Sequence, residues 1–530
     1  MTFPSTKSLI ELLEDLPIKY ELVGDYRDVS IGGICFDSRE VIPGNLFVAM
    51  TGGSADGHEY ISAAIEKGAV AVMGTRDLST LEVPYIIVGD AREGLAYLAA
   101  AYYDHPGRKM TVIGVTGTDG KTTTSNLIFQ ILKSAGIKAG LISTVNAVIG
   151  DEVIDTGFHV TTPEATLVQA LLARMAGAGL THVVLETTSH GLAQHRVTGS
   201  EYDIAVVTNI THEHLDYHGS YENYRDAKGR LFQMLSHTAV KPFGNPRLAV
   251  LNADDPSYGY LSKLVTVNRT SYSLKGLGDV NAAEIRYSSN GTDFVVEINK
   301  AIVPIHCILP GDFNVSNCLA AITAAVEGVK VDPYAAAKGI AALPGVPGRM
   351  EFIDMGQPFM AIVDFAHTPN ALARAIETAR QMTKGRVIAV FGSAGLRDRE
   401  KRRMMAETSV KMADVTILTA EDPRTESLDD ILSEMADAAR NSGGVEGESF
   451  YRVPDRGEAI RLGVKLAQPG DLVMPCGKGH EQSMCFGTVE YPWDDRTALR
   501  AALAEFLHTT GPQMPELPTS ISFYQKSQNY

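Results

Sequence analysis

The run Thr111-Val-Ile-Gly-Val-Thr-Gly-Thr-Asp-Gly-Lys-Thr-Thr-Thr124 constrains this chain more than any other segment. An apolar strand enters a glycine turn, and a stretch of helical length follows Gly-Lys-Thr. Glycines let the backbone wrap closely around phosphates with its N–H groups inward, and the helix N-terminus adds partial positive charge. Lys121 is placed to reach β- and γ-phosphates, and the Thr122 hydroxyl can ligate Mg²⁺. The spacing misses G-x4-G-K-[ST] by one place, because position 115 is Val and the glycine is Gly114. Strand, glycine turn and helix in one run predict a nucleotide-binding α/β domain.

The rest of the chain has the same alternation. Short Val/Ile runs (Ala69–Met73, His182–Leu185, Ile204–Thr208, Arg247–Leu251, Ala361–Asp364, Val387–Phe391, Val415–Thr419, Asp471–Pro475) are separated by Ala-rich stretches of helical length. This is the pattern of parallel strands buried on both faces by helices. A length of 530 residues suggests about three domains. Boundaries are expected near Tyr103–Gly107 and near Leu343–Gly348, where Pro-Gly dipeptides interrupt helix. The Pro-rich stretch Thr509–Ser520 and the polar residues after it read as a loosely attached tail. Thr266–Ile305 alternates in strand fashion and reads as antiparallel trim on the central domain.

Polar groups gather at the ends of the apolar runs, where open α/β sheets bind their ligands. Glu186 closes Val183–Glu186 and can face phosphates through a metal. A second run opens into His212, Glu213, His214, Asp216 and His218. An oxygen-rich set suits Mg²⁺, whereas zinc would want H-E-x-x-H spacing or cysteines, both missing here. His58 and His105 read as surface or capping residues, and Lys228, taken alone, as an exposed helix lysine. Asp364 and His367, Arg397, Glu421–Arg424 and Cys476–Glu481 follow four more strands and suggest a substrate site. Arg397 and Arg424 suit carboxylates or phosphates bidentately.

Forty-seven basic against 63 acidic residues give a net charge of −16, which argues against non-specific binding to nucleic acid or anionic membranes. Five cysteines without a C-x-x-C pair read as reduced thiols of a cytosolic chain. No signal peptide and no apolar run of spanning length is present. A phosphate loop with metal ligands, and polar strand ends elsewhere, describe a kinase, an ATPase or an ATP-dependent ligase. Separate sites favour a ligase, which joins two substrates by activating a carboxylate as an acyl-phosphate.

Ten ordered segments carry a family resemblance: Asp37–Ala49, Gly114–Thr124, Thr161–Ala165, Glu186–Val197, Thr208–Gly219, Ala227–Phe232, Leu309–Ala321, Pro347–Glu351, Val363–Leu372 and Gly477–Glu481. The chain resembles the Mur ligases from about residue 30 to about residue 500. Thr161–Ala165 and the His-Leu-Asp-Tyr-His-Gly form point to the member adding the third amino acid of the peptidoglycan stem. The resemblance implies a three-domain α/β architecture. Residues 1–107 would bind the UDP-substrate, 108–346 would form the P-loop ATPase-like domain, 347–507 a Rossmann-like domain for the amino acid, and 508–530 a flexible tail.

It implies a cytoplasmic ligase of cell-wall biogenesis using ATP and Mg²⁺. A diamino acid, meso-diaminopimelate before L-lysine or L-ornithine, would be joined to UDP-N-acetylmuramoyl-L-alanyl-D-glutamate, with no nucleic acid, membrane or obligate protein partner. Ser38 would meet the uridine end. Thr161, Thr162, Ser189, Gln194 and Arg196 would bind the muramoyl-peptide and its diphosphate. Gly117, Thr118, Gly120, Lys121, Thr122, Thr123, Asn314, Asn317, Arg349 and Asp364 would hold the nucleotide. Glu186, His214 and a carbamylated Lys228 would join Thr122 in organising metal, with Lys121, Lys228, His214 and Glu186 as the catalytic set. Arg397, Glu421, Asp422, Arg424, Gly477 and Glu481 would receive the amino acid. Large domain closure is expected, because the candidates lie on three domains.

Three positions depart from the family pattern. Asp119 replaces Asn in the glycine loop, Phe365 replaces Tyr beside Asp364, and Asp422 replaces Asn in the selector Glu421-Asp-Pro-Arg424. Asp422 puts a charge where an amide is usual, which weakens the case for a distal carboxylate and would suit lysine or ornithine. The turn Gly392–Asp398 also differs. A folylpolyglutamate-type amide ligase, a degraded homologue acting as a scaffold, and a plain P-loop kinase are the competing readings.

Overall fold

The computed structural model describes residues 6–52, 55–78, 81–155, 162–211, 215–288 and 291–520. Contacts divide the chain into two compact units. One comprises Met1–Ala282, Val296–Val303 and Ser316–Ile340; the other comprises Ala283–Val295, Pro304–Val315 and Ala341–Tyr530.

The first unit opens with a five-stranded sheet in the order Tyr20–Val23, Tyr85–Val88, Ala71–Gly74, Asn45–Val48, Gly33–Cys35. Only its first pair is antiparallel. The helix Ala91–Tyr102 packs its Leu95 and Leu98 face into the core with Leu46, Met73 and Ile86. It ends in a turn where Asp104 and His105 take positive φ (56° and 46°), ahead of the next sheet. That sheet runs Glu152–Asp155, Asn146–Ile149, Ala139–Ile142, His182–Glu186, Thr111–Thr116, Tyr202–Val207, Leu248–Asn252, Asn268–Ser273, then on through Val280–Ser288, Gly291–Ile298 and Ala301–Cys307. From Ala139–Ile142 through Asn268–Ser273 every pair is parallel. Val112, Val183 and Ala205, from three adjacent strands, share one buried core, as strands covered by helices require.

The segment expected as antiparallel trim departs from that reading in its first half. Asn268–Ser273 extends the parallel sheet, and Val280–Ser288 pairs with it in parallel as well. Gly291–Ile298 and Ala301–Cys307 complete the sheet; joined only through Asn299 and Lys300, both at positive φ, they form a hairpin, the antiparallel arrangement expected of this segment.

The second unit carries a six-stranded sheet in the order Glu351–Phe352, Met360–Val363, Leu472–Pro475, Val387–Phe391, Val415–Leu418, Phe450–Arg452. All pairs but the first are parallel. Helices cover both faces, with one core around Phe391, Leu432 and Ile376 and another around Trp493, Ile460 and Leu499. The tail expected to be loose is anchored through Ser520. Leu517 is fully buried in the Trp493 core, and the Thr519 hydroxyl donates to Asp455 Oδ2 at 2.8 Å. Residues 521–530 lie outside the described residues.

Candidate active site

The glycine loop closes on the helix Lys121–Ser134, whose N-cap is Gly120 at φ +80°. A side chain cannot stand at Gly120, because a Cβ there would fall 2.3 Å from Asn317 Oδ1. At Gly117 (φ +153°) it would fall 1.8 Å from Thr208 Oγ1. The loop is pinned from the neighbouring strand: Thr118 N donates to Asn209 O at 2.7 Å, and the Thr208 hydroxyl donates to Asp119 O at 2.6 Å. Asp119 N donates to Asn209 Oδ1 at 3.1 Å. These bonds use Asp119's backbone, so the exchange of Asn for Asp leaves the loop's own fastening intact.

Lys121 Nζ folds back onto Thr118 O at 2.6 Å. The Thr122 hydroxyl donates to Glu186 Oε1 at 2.9 Å, and Thr144 N donates to Glu186 Oε2 at 2.9 Å. Both side chains are buried, Glu186 to 1 % exposure. This hydroxyl–carboxylate pair is an oxygen-only, hard donor set of the kind Mg²⁺ takes, so the residues present fit that ion. Thr123 is buried in the same first turn, and Asn317 accepts from the Thr124 hydroxyl at 3.3 Å. Asn314 lies one helical turn earlier and donates to Pro310 O at 2.7 Å.

Lys228 is not the exposed helix lysine that its local sequence suggests. Its helix, Tyr221–His237, turns it inward to 1 % exposure. Nζ donates to Gly117 O at 2.5 Å and lies 4.5 Å from the centroid of the Tyr224 ring. The Tyr224 hydroxyl in turn meets Thr118 Oγ1 at 3.0 Å. Lys228 therefore sits against the phosphate loop itself. His214 and Thr161 lie outside the described residues, as does most of the histidine–carboxylate cluster.

The muramoyl-peptide candidates surround the same strand ends. Thr162 Oγ1 accepts from Thr188 N at 3.1 Å, and Arg196 Nη1 donates to Thr162 O at 2.9 Å. Arg196 also pairs with Glu164 at 2.9 Å. Ser189 is buried at the first turn of a short helix, and Gln194 Nε2 donates to the Tyr217 hydroxyl at 3.1 Å. Ser38 is half-buried beside Asp37, whose carboxyl is held down at about 2 by hydrogen bonds from Arg39. His58 and His105 are both buried rather than superficial: His58 Nδ1 meets Asp56 at 2.6 Å, and His105 Nε2 meets Asp15 at 3.0 Å.

In the second unit, Asp364 accepts from Met350 N at 2.7 Å and Ala366 N at 2.9 Å, fixing the turn that carries Arg349. The Arg349 guanidinium lies over Phe365, 4.2 Å from the ring centroid. Replacing Tyr by Phe there loses a hydroxyl and keeps the face on which the cation stacks.

The loops expected to receive the amino acid hold each other. Lys478, fully buried, donates to both oxygens of Asp422 at 3.0 and 3.1 Å and pairs with Glu481 at 2.5 Å. Burial alone would lower the Lys478 ammonium, but Glu481 and Asp422 outweigh it and raise it. Cys485 N donates to Asp422 Oδ1 at 2.9 Å. Asp422 is thus engaged within the protein, with its charge countered by the Lys478 ammonium. Glu421 is buried against Gly477 and Gly392; its Oε2 has no hydrogen-bond partner, and burial raises its carboxyl. Arg424 takes φ +54°, and its Nη1 reaches Gly395 O at 3.5 Å. Arg397 is exposed. Sequence reasoning missed Asn209, Thr144, Tyr224 and the buried cation Lys478, although Lys478 stands inside a motif it singled out.

Comparison with known proteins decides what this arrangement is. The family "Mur ligase family, catalytic domain" matches residues 30–103, "Mur ligase middle domain" residues 115–325, and "Mur ligase, glutamate ligase domain" residues 348–479. The chain belongs to the Mur ligase family. As a Mur ligase it has that family's three-domain α/β architecture. It is 46 % identical over 484 residues to the UDP-N-acetylmuramyl-tripeptide synthetase of Roseiflexus sp., covering 90 % of this chain and 95 % of that one. It is 42 % identical over 470 residues to the UDP-N-acetylmuramoyl-L-alanyl-D-glutamate--2,6-diaminopimelate ligase of Geobacillus thermodenitrificans, covering 88 % and 94 %. A solved structure of a ligase with the latter name superposes with a TM-score of 0.66 at 31 % identity, covering 96 % of this chain and all of that one.

Proposed function

We propose that this Mur ligase joins meso-diaminopimelate to the D-glutamyl carboxylate of UDP-N-acetylmuramoyl-L-alanyl-D-glutamate at the expense of ATP. The phosphate loop supplies inward backbone N–H groups, and Lys121 supplies the cation that follows charge onto the transferring phosphoryl group. Thr122 and Glu186 would hold Mg²⁺, and Lys228, as a carbamate, would extend that acidic set together with His214. The ion supplies neutralisation of phosphate charge. The substrate carboxylate oxygen attacks the γ-phosphorus and ADP leaves. The amine of the incoming amino acid then attacks the acyl carbon, inorganic phosphate leaves, and the amine proton is lost to solvent. The protein contributes mainly positioning and preorganised charge.

The observation that carries the choice of amino acid is the engagement of Asp422 by Lys478 and Cys485 N. With the Asp422 charge neutralised inside the fold, the selector presents Arg424 as its cation for a distal carboxylate. Glu421, whose Oε2 has no hydrogen-bond partner, is the acceptor for the ammonium end, beside Glu481, which shares Lys478 with Asp422. The names of the relatives in Geobacillus and of the solved ligase support the same substrate.

The test is ATP-dependent phosphate release with the UDP-muramoyl-dipeptide and, separately, meso-diaminopimelate, L-lysine and L-ornithine, with product mass checked. Release that requires diaminopimelate supports the reading. Release with lysine or ornithine alone overturns the choice of amino acid, and a stable phosphorylated product without an amide overturns the ligase.

A further inference from the structure

The two loops holding the amino-acid candidates leave strands that are not neighbours. Glu421–Arg424 follows Val415–Leu418, Gly477–Glu481 follows Leu472–Pro475, and Val387–Phe391 runs between them. The backbone ladder therefore does not join the two loop roots directly. A side chain does. Arg456, fully buried at the start of the helix Arg456–Leu466, donates through Nη1 to Ala420 O at 3.1 Å and through Nη2 to Cys476 O at 2.7 Å. Those carbonyls belong to the residues immediately before Glu421 and Gly477.

The guanidinium is itself fixed. Asp495, also fully buried, accepts from Nε at 2.7 Å and from Nη2 at 2.6 Å, and Trp493 Nε1 donates to Asp495 Oδ1 at 2.8 Å. A planar fork with donors in set directions, gripped along one edge, dictates where acceptors on its other side must stand. The spacing it sets has little slack. A Cβ at Gly477 would come within 2.2 Å of Glu421 Oε2. The helix start is held in turn by its N-cap Asp455, which accepts from the Glu458 backbone and from Thr519 of the docked C-terminal segment.

We propose that Arg456 is a positioning residue for the amino-acid pocket, setting the separation of the Glu421–Arg424 and Gly477–Glu481 loops through the Ala420 and Cys476 carbonyls. The inference rests on the reading that these loops receive the diamino acid. Arg456 touches no reacting atom, so its effect is on the fit of the incoming amino acid.

Steady-state kinetics of the full chain test it, with Arg456→Lys and Asp495→Asn each compared with wild type. Lysine keeps a cation beside Asp495 but cannot fork to both carbonyls. The proposal predicts that KM for diaminopimelate rises about tenfold or more in Arg456→Lys, with a smaller fall in kcat, while KM for ATP and for the UDP-substrate stays within about twofold. Asp495→Asn, which loosens the grip on the fork, shifts the same KM in the same direction. Unchanged KM for the amino acid with a uniform loss of kcat would mean that Arg456 only supports the fold, and overturns the proposal. Failure of both variants to fold assigns Arg456 to the domain core and overturns it equally. A wild-type enzyme that turns over with none of the three amino acids defeats the functional reading instead, and this inference with it.

Discussion

The ammonium of Lys478 lies 3.0 and 3.1 Å from the two carboxylate oxygens of Asp422, with the lysine fully buried. An ion pair this deep gains little over an apolar pair of the same shape, but removing one partner leaves a buried charge uncompensated. Glu481 stays beside Lys478, so Asp422→Ala, which strips the ammonium of one of two counterions, is expected to destabilise the protein by about 2 kcal/mol in urea unfolding. Asp422→Asn, which still offers an acceptor to Lys478 while Glu481 supplies charge, is expected to cost less than half of that and to keep activity with diaminopimelate. Equal losses for the two variants would show that Asp422 is not the counterion.

Lys121 stands at the first helical position after Gly120, with its amine returned to Thr118 O. Lys121→Ala is expected to lower kcat by about a hundredfold or more, as loss of one preorganised charge at a transferring group does. Binding of the UDP-substrate, read by calorimetry without ATP, should be unchanged. Turnover equal to wild type would contradict the phosphate-loop assignment.

His182 and His480 are both held neutral by burial, with their protonation pushed down to about 4 and about 3. For His480 the neighbouring Arg349, Arg496 and Lys478 add to the effect. The unfolded chain takes up these protons near pH 6.5, so between that value and about 3 it binds more protons than the native state. Stability from these two groups is therefore present above pH 6.5 and is lost as pH falls, by at most about 1.4 kcal/mol per pH unit for each proton. Urea midpoints measured from pH 7 to pH 4 should fall, and His182→Gln should flatten the slope. An unchanged slope would contradict the assignment.

Leu517 stands in a Pro-rich stretch in which Met514 also packs against the Trp493 core, and it is buried completely there. Leu517→Ala is expected to cost about 2–4 kcal/mol. A chain ending at Gly511 should lose at least as much, because it also lacks the Thr519–Asp455 bond. A melting temperature unmoved by truncation would show that the segment does not stay docked.

What the sequence made legible was local. Gly117, Gly120, Lys121 and Thr122 fall within six consecutive positions, so their chemistry can be read from a short string, and Glu186 is announced by the apolar strand it ends. The pairings that set the electrostatics are non-local. Thr122 meets Glu186, Asp422 meets Lys478, and Arg456 meets Asp495 only after the sheets form. Lys228 shows the limit well: charged neighbours on its own helix suggest exposure, and only tertiary packing turns it toward Gly117. Leu517 could not be read because it and Met514, set among prolines, are too few to carry a period. His58 and His105 could not be read because their partners, Asp56 and Asp15, give no pattern that separates a buried, hydrogen-bonded imidazole from a surface turn.

The central claim is that ATP activates the substrate carboxylate before the amide forms. The most direct measurement uses UDP-N-acetylmuramoyl-L-alanyl-D-glutamate labelled with ¹⁸O in the D-glutamyl carboxylate acceptor, with ATP and diaminopimelate, and reads the released phosphate by mass. Transfer of one ¹⁸O into inorganic phosphate for each amide formed is the predicted result. Unlabelled phosphate alongside amide product would show that no acyl-phosphate formed and would contradict the account.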